Sequence, residues 1–230
     1  MKTREDIYKF YHENSKNYES QLLHAPGRKY SDEVVRKNYT KTSLDISPVQ
    51  QFTHKDMIVS SSRFFEGKAI SKTQFFQIMH RNYFLTKHDS KYKSTTPSAG
   101  GLYPIEAYIL ILNVEDIPKG IYYYDKFSGS LIYLNELDLS FIPPVNLSIM
   151  DASFLVVFVS SMNDVINKYG SRGYRYVLIE SGHIGQNFSL YCYKNNFKCC
   201  PVGGFYDTKL EEILNLGETE IPLYLYAIGV

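Results

Sequence analysis

The residues best suited to chemistry in this chain lie in one run, Ser94-Thr95-Thr96-Pro97-Ser98-Ala99-Gly100-Gly101-Leu102-Tyr103-Pro104-Ile105-Glu106. Gly100 and Gly101 let the backbone approach a ligand face that a Cβ would block. Pro97 and Pro104 fix φ at the two ends, so the amides between them are held in place. Such a loop suits a planar, hydrogen-bonding cofactor, and equally an ordinary loop leading into a strand. A second run, from Asn167 to Arg175, sets Lys168 and Tyr169 beside Arg172 and Arg175 in a polar segment between two apolar elements. A loop there can reach over a cofactor. A lysine whose charge is disfavoured by burial or by those arginines is partly neutral near physiological pH and can act as a base. Without such an environment, Lys168 is a solvated charge and Tyr169 a packing residue. A third run, Cys200-Pro201-Val202-Gly203-Gly204-Phe205-Tyr206-Asp207, is a Gly-Gly loop ahead of a helix.

No set of residues has metal-ligand spacing. His183 is a lone histidine in a helical stretch, and a hydrogen-bonded core or interface role fits it better than ligation. The three cysteines, Cys192, Cys199 and Cys200, lack C-x-x-C spacing, which argues against a zinc site or a disulfide framework and for reduced core thiols.

The elements that must position these runs follow from periodicity. Arg4 to Glu19 reads as a helix with Ile7, Phe10, Tyr11 and Tyr18 at helical spacing. Leu22 to Thr53 is polar, without a clear period, and reads as an extended arm packed on the domain or on a partner. Residues 1–53 therefore form an N-terminal helix and arm, and 54–230 the ligand-binding domain. Ser71-Lys72-Thr73-Gln74 is a capping box, with a helix running through Met79. Ile105 to Leu112 reads as a central strand. Ile121–Tyr124 and Leu131–Leu134 flank a turn and form a hairpin. Ser153 to Ser160 is a buried strand, Tyr174 to about Asn195 a long helix, Thr208 to Leu214 a helix, and Pro222 to Gly229 a closing strand. Gly182 and Gly185, with Ser181 and Ser189, leave little bulk on part of the long helix, so another element or a cofactor approaches it closely.

Composition narrows the class. With 230 residues, 44% hydrophobic and 21% charged, the chain is a globular domain. A net charge of +1 argues against nucleic-acid binding by phosphate neutralisation. The longest strongly apolar run, Phe154 to Val159, has the length of a strand and not of a membrane span. The N-terminal residues show no signal-peptide pattern, so the expected compartment is the cytoplasm.

Pro97 to Pro104 resembles the flavin-cradling loop of the nitroreductase superfamily and, more narrowly, that of SagB-type azoline dehydrogenases. Other segments resemble the same family in the same order. They are Tyr11-His12-Glu13, the run Val59 to Gly67, the Lys-Tyr-Gly and Arg-Gly-Tyr-Arg elements within Lys168–Arg175, Glu180-x-Gly182-His183-x-x-Gln186-Asn187, and Gly203-Gly204. The resemblance implies an α+β nitroreductase-like fold, a central mixed and mainly antiparallel sheet sandwiched by helices, and a homodimer with flavin mononucleotide (FMN) at the subunit interface. It implies that Pro97, Ser98, Ala99, Gly100 and Gly101 cradle the flavin. Ser61 and Arg63 would contact its phosphate, and Gly203 and Gly204 would present a backbone N–H to its redox-active nitrogen. The usual leading arginine of the phosphate motif is replaced by Val59 and Ser60, and Arg172 or Arg175 would supply that charge. Lys168 and Tyr169 would be the catalytic pair. The implied reaction aromatises peptide azolines to thiazoles or oxazoles. Its expected partners are an azoline-containing precursor peptide, a cyclodehydratase and a peptide-binding subunit. Two further functions remain open: a reductase of small electron-poor substrates, and a scaffold subunit of a peptide-modifying complex, which the missing arginine favours.

Overall fold

A computed structural model describes residues 6–16 and 59–230. The arm expected over Leu22 to Thr53 lies outside the described residues.

The core is a six-stranded sheet in the order β5-β4-β3-β6-β8-β7. Its strands are β3 (Ile105–Ile111), β4 (Gly120–Tyr124), β5 (Leu131–Asn135), β6 (Phe154–Ser161), β7 (Lys198–Val202) and β8 (Glu220–Gly229). Every neighbouring pair in it is antiparallel. Among the described residues, parallel pairing is confined to the isolated bridge between Ile70 and Val114. A short hairpin, β1 (Thr86–His88) and β2 (Lys91–Lys93), stands apart.

β6 is buried along almost its whole length, as its unbroken apolar run requires of a strand covered on both faces. One face packs under α2 (Lys72–Asn82) and α4 (Gly173–Lys194), through Phe75, Ile78, Phe158, Ile184, Phe188 and Tyr226. The other face packs under a helical turn, Pro144–Asp151, and α5 (Asp207–Ile213), through Leu155, Val157, Phe205, Leu210 and Leu225. The sheet is thus sandwiched by helices, as expected. The expected capping box is present: Ser71 Oγ accepts from Gln74 N, and Gln74 Oε1 accepts from Ser71 N.

Four expectations need correction. Cys200 and Pro201 belong to β7, not to a loop; a proline is tolerated there because β7 is an edge strand. Lys168 and Tyr169 are not in a loop. They form the last turn of a short helix, α3 (Asn163–Tyr169), which ends at Gly170 with φ 59°. The helix α1 (Asp6–Ser15) buries Tyr8 and His12, while Ile7, Phe10 and Tyr11 are exposed. His183 is exposed on α4, which removes the core half of its expected core-or-interface role.

Close approach explains one of the two helix glycines. A Cβ on Gly185 would fall 2.8 Å from the Tyr224 ring and 2.9 Å from the Tyr226 ring, so α4 lies tight on β8. Gly182 faces open space.

Candidate active site

The Pro97–Pro104 loop is a tight turn tied down from three sides. Gly100 and Gly101 have φ of 60° and 67°, the left-handed region that glycine occupies without strain. Tyr103 is also left-handed, at φ 48°, which a bulky residue adopts only when its surroundings hold it there. Here the hold is explicit. Tyr103 N donates to Ser98 Oγ at 2.8 Å, and Tyr103 O accepts from Lys126 Nζ at 2.8 Å. Gly101 N and Leu102 N donate back to Ser98 O and Ala99 O. Much of the loop's donor capacity is therefore spent on its own shape.

Two side chains of α4 grip the loop from beneath. Ser98 Oγ donates to Glu180 Oε2 at 2.6 Å, and Asn187 Nδ2 donates to Thr96 Oγ1 at 3.1 Å. Glu180 and Asn187 are seven residues apart, two helical turns on one face. The Glu-x-Gly-His-x-x-Gln-Asn spacing is thus the spacing of two loop anchors. From the other side comes Lys126, in the turn after β4 and 4% exposed. Its ammonium donates to Tyr103 O, Ile105 O and Glu106 Oε1, so three donors meet three acceptors. Glu106 Oε2 accepts from the Tyr123 hydroxyl at 2.8 Å, and burial pushes that phenol far above its ordinary range. Burial likewise raises the Glu180 carboxyl to about 7, against the opposing pull of the Ser98 hydrogen bond and the Lys126 charge.

Lys168 and Tyr169 sit on this loop. Lys168 Nζ donates to Gly100 O at 3.2 Å. A Cβ on Gly100 would meet Lys168 Nζ and the Tyr169 hydroxyl, so these side-chain ends rest on the bare face of the glycine, and the φ of 60° is what favours glycine there. Tyr169 packs edge-on against Tyr176, whose hydroxyl accepts from Arg172 Nε at 3.0 Å. The Lys168 side chain is exposed in the protomer rather than buried. Arg172 and Arg175 turn toward a cleft of about 510 Å³ shared with Tyr8, Tyr11 and Leu178.

On its outer side the loop borders a cleft of about 360 Å³ lined by Leu85, Lys91, Tyr92, Gly101, Leu102 and Phe127, among others. The cleft is open and its walls are mixed: aromatic at Tyr92 and Phe127, apolar at Leu85 and Leu102, and charged at Lys91. A Cβ on Gly101 would touch nothing, so bare backbone faces that space. These features fit a planar cofactor such as a flavin.

The remaining expected contacts stand apart from the loop within one protomer. Gly203 and Gly204 leave β7 toward the sheet end from which the loop enters β3. Three strand spacings, about 14 Å, separate β7 from β3. Asn146 Nδ2 donates to Gly204 O at 2.7 Å. Ser61 and Arg63 lie on the segment beside β7, where Ser62 N donates to Cys199 O at 2.8 Å. No hydrogen bond among the described residues joins either group to the loop.

The profile of the nitroreductase family matches residues 60–230. The chain belongs to the nitroreductase family. Among curated members, the Methanocaldococcus jannaschii protein MJ1384, which carries a nitroreductase name, is 27% identical over 194 residues, covering 81% of this chain and 95% of that protein. The microcin B17-processing protein McbC of Escherichia coli is 27% identical over 207 residues, covering 86% of this chain and 75% of that one. Solved structures show the fold. A chain of the E. coli microcin synthetase McbBCD complex, with truncated pro-MccB17 bound, superposes with a TM-score of 0.73 at 20% identity over 99% of this chain and 92% of that one. An Anabaena variabilis protein with a nitroreductase name gives a TM-score of 0.63 at 23% identity over 74% of this chain, which spans only 36% of that one. The nitroreductase-like α+β fold expected from the loop motifs is therefore established.

Sequence reasoning did not single out Glu180, Asn187, Lys126 or Glu106 as parts of the site. For the first two the signal was present in the seven-residue spacing. For Lys126, a charge in a hairpin turn reads as solvated. The described residues hold no cluster of metal-ligating side chains and no helix long and apolar enough to cross a membrane.

Proposed function

We propose that this nitroreductase-family oxidoreductase is an FMN-dependent azoline dehydrogenase acting on a modified peptide. The observation that carries the reading is the seating of Lys168 and Tyr169 on Gly100 of the glycine loop. Aromatising an azoline removes two electrons and two protons from the ring. FMN, when bound, supplies the electron acceptor. Pro97 to Gly101 would hold it from one side; Ser61, Arg63, Gly203, Gly204 and Arg172 or Arg175 would complete the site, Gly203 and Gly204 across the interface of a homodimer. In this reading Lys168, in the neutral form that desolvation by bound flavin, substrate or a second protomer would favour, takes the ring proton, and Tyr169 orients it or donates to the ring heteroatom. Exposure of Lys168 in the protomer leaves its Nζ accessible to a substrate ring. The likeness to McbC, and to a chain from a complex that contains a bound precursor peptide, supports a peptide substrate and work alongside a cyclodehydratase and a peptide-binding subunit.

The test is a flavin-loaded preparation given a cyclodehydrated peptide. Mass spectrometry should show the loss of two hydrogens per ring. Lys168→Ala should keep its FMN and lose roughly 10²–10⁴-fold in rate, the share of a positioned acid–base group. Wild-type azole formation by flavin-loaded Lys168→Ala would remove Lys168 from the reaction. A second reading, reduction of small electron-poor substrates, is favoured by the likeness to MJ1384. It calls for turnover of a nitroaromatic with a nicotinamide donor and no dependence on Lys168. A colourless protein that cannot be loaded with FMN would leave the scaffold reading.

A further inference from the structure

Glu180 is 4% exposed and carries no ion pair among the described residues. Its one recorded side-chain partner is the Ser98 hydroxyl, which in turn holds the Tyr103 amide. A single hydroxyl therefore joins both ends of the turn that contains Gly100, Gly101 and the left-handed Tyr103, and that hydroxyl is seated on Glu180. The charged and titratable groups around it are few. From the β4–β5 turn comes Lys126, already matched by Glu106 and two carbonyls. From the end of α2 comes Tyr83, whose hydroxyl donates to Ile105 O. From the loop come the neutral Ser98 and Thr96, and on α4 itself the nearby His183 points outward. A cavity of about 20 Å³ lies between Glu180, Lys126, Tyr83, Thr96 and Tyr103. It admits one water and no larger ligand.

We propose that Glu180 is a proton-operated positioning residue: as the neutral acid it holds the Ser98–Tyr103 turn on α4, and its ionisation loosens that turn. Desolvation is the largest influence on this carboxyl and raises it to about 7. Detaching the turn removes the Ser98 bond, which favours the ionised form, and lets water reach Glu180; desolvation is the larger of the two effects, so the carboxyl returns toward its ordinary value. The closed turn therefore binds more proton than the open one, and closure weakens as pH rises through about 7. Loading an anionic cofactor above the turn adds negative charge and excludes more water. Both changes favour the neutral acid, so loading carries the same sign. This last step rests on the flavin reading; the first does not.

The test begins without cofactor. Exchange of the Tyr103 amide with deuterium is followed by NMR from pH 6 to pH 8, in wild type and Glu180→Gln, corrected for intrinsic base catalysis. Wild-type protection should fall by up to about tenfold per pH unit across the transition. Glu180→Gln, which can still accept from Ser98 but cannot ionise, should remain protected at pH 8. Ser98→Ala, which keeps the carboxyl and removes the link, should lose protection at every pH. FMN and riboflavin dissociation constants, read by flavin fluorescence, should weaken several-fold from pH 6 to 8 in wild type and stay flat in Glu180→Gln; riboflavin removes the phosphate's own titration. Wild-type Tyr103 protection that ignores pH, or falls equally in Glu180→Gln, overturns the proposal. If protection behaves as expected but neither flavin binds, the clamp stands and the flavin reading falls. If flavin binds while protection and affinity ignore pH in both proteins, the clamp falls and the flavin reading stands.

Discussion

Lys126 shows how much of the site is decided by single charges. Its ammonium is buried with each of its donors matched, so removing it leaves Glu106 Oε1 and Tyr103 O without that donor, although Ile105 O keeps the Tyr83 hydroxyl and Glu106 Oε2 keeps the Tyr123 hydroxyl. Lys126→Met is expected to cost about 3–5 kcal/mol, the usual penalty for breaking a buried pair; urea unfolding measures it. Glu180 gives the opposite kind of effect. Its native carboxyl is raised from 4.5 to about 7, so the fold binds more proton than the unfolded chain between those values. Its contribution is fully present below about pH 4.5 and declines as pH rises through about 7. The shift corresponds to roughly 3 kcal/mol at 1.36 kcal/mol per unit. Thermal melts from pH 5 to 8 should show a decline that Glu180→Gln flattens. Lys126 does not announce itself in sequence, since Asp125-Lys126-Phe127 reads as a turn. Glu180 heads a motif that the sequence does show, but its burial is not legible there, because burial of a charge depends on partners far along the chain.

At the scale of elements, α1 shows why a local pattern can choose the wrong face. Ile7, Phe10 and Tyr11 have helical spacing, yet the buried positions are Tyr8, His12 and Lys16. The dock is polar and aromatic. Lys16 Nζ lies 2.8 Å from Glu211 and 3.1 Å from Glu13, His12 Nδ1 lies 3.2 Å from the Tyr174 hydroxyl, and the Tyr8 ring stacks on Tyr174. Burial pulls the Lys16 ammonium down, but its bonds to Glu211 and Glu13 outweigh this and hold it above its ordinary value. Glu211→Gln should loosen α1 by about 1–3 kcal/mol, the range for hydrogen bonds to charged groups. Hydrogen exchange confined to α1 would report it, and unchanged exchange would show that the rings alone hold the helix. The elements read correctly are β3, the β4–β5 hairpin, β6, β8, α2, α4 and, within a residue, α5. Most carry a strong period or an explicit cap. Of those misread, β7 contains a proline that its edge position permits, and α3 lies in a polar run ending at Gly170 that reads as a loop.

For the whole molecule, the sheet order places the strongest apolar run, β6, at the centre, and that much could be read from the chain. The sequence does not display how one protomer divides its expected flavin contacts. The glycine loop leads into β3, and Gly203 with Gly204 leaves β7, three strands further along the sheet past β6 and β8. The outward side of α4 exposes Leu178, Ile179, Leu190 and Tyr193, with Gly182 open between them. Such a stripe is the expected seat of a second copy. Ile179→Arg should shift light scattering from dimer to monomer mass, and an unchanged dimer would put the interface elsewhere.

The helix that carries this stripe is the same one that grips the loop. α4 has 22 residues and spans roughly 33 Å as one continuous helix. Glu180 and Asn187 on its inner side are thus mechanically joined to Ile179 and Leu190 on its outer side, with Gly185 pressed against β8 as the fulcrum. If the protein associates through this stripe and holds flavin at the loop, as proposed, the two would be coupled through one helix. Thermodynamic reciprocity requires that if flavin tightens the dimer by some factor, dimerisation tightens flavin by the same factor. Diluting the loaded and unloaded protein in parallel would measure that factor, and a value of one would mean that the helix transmits nothing.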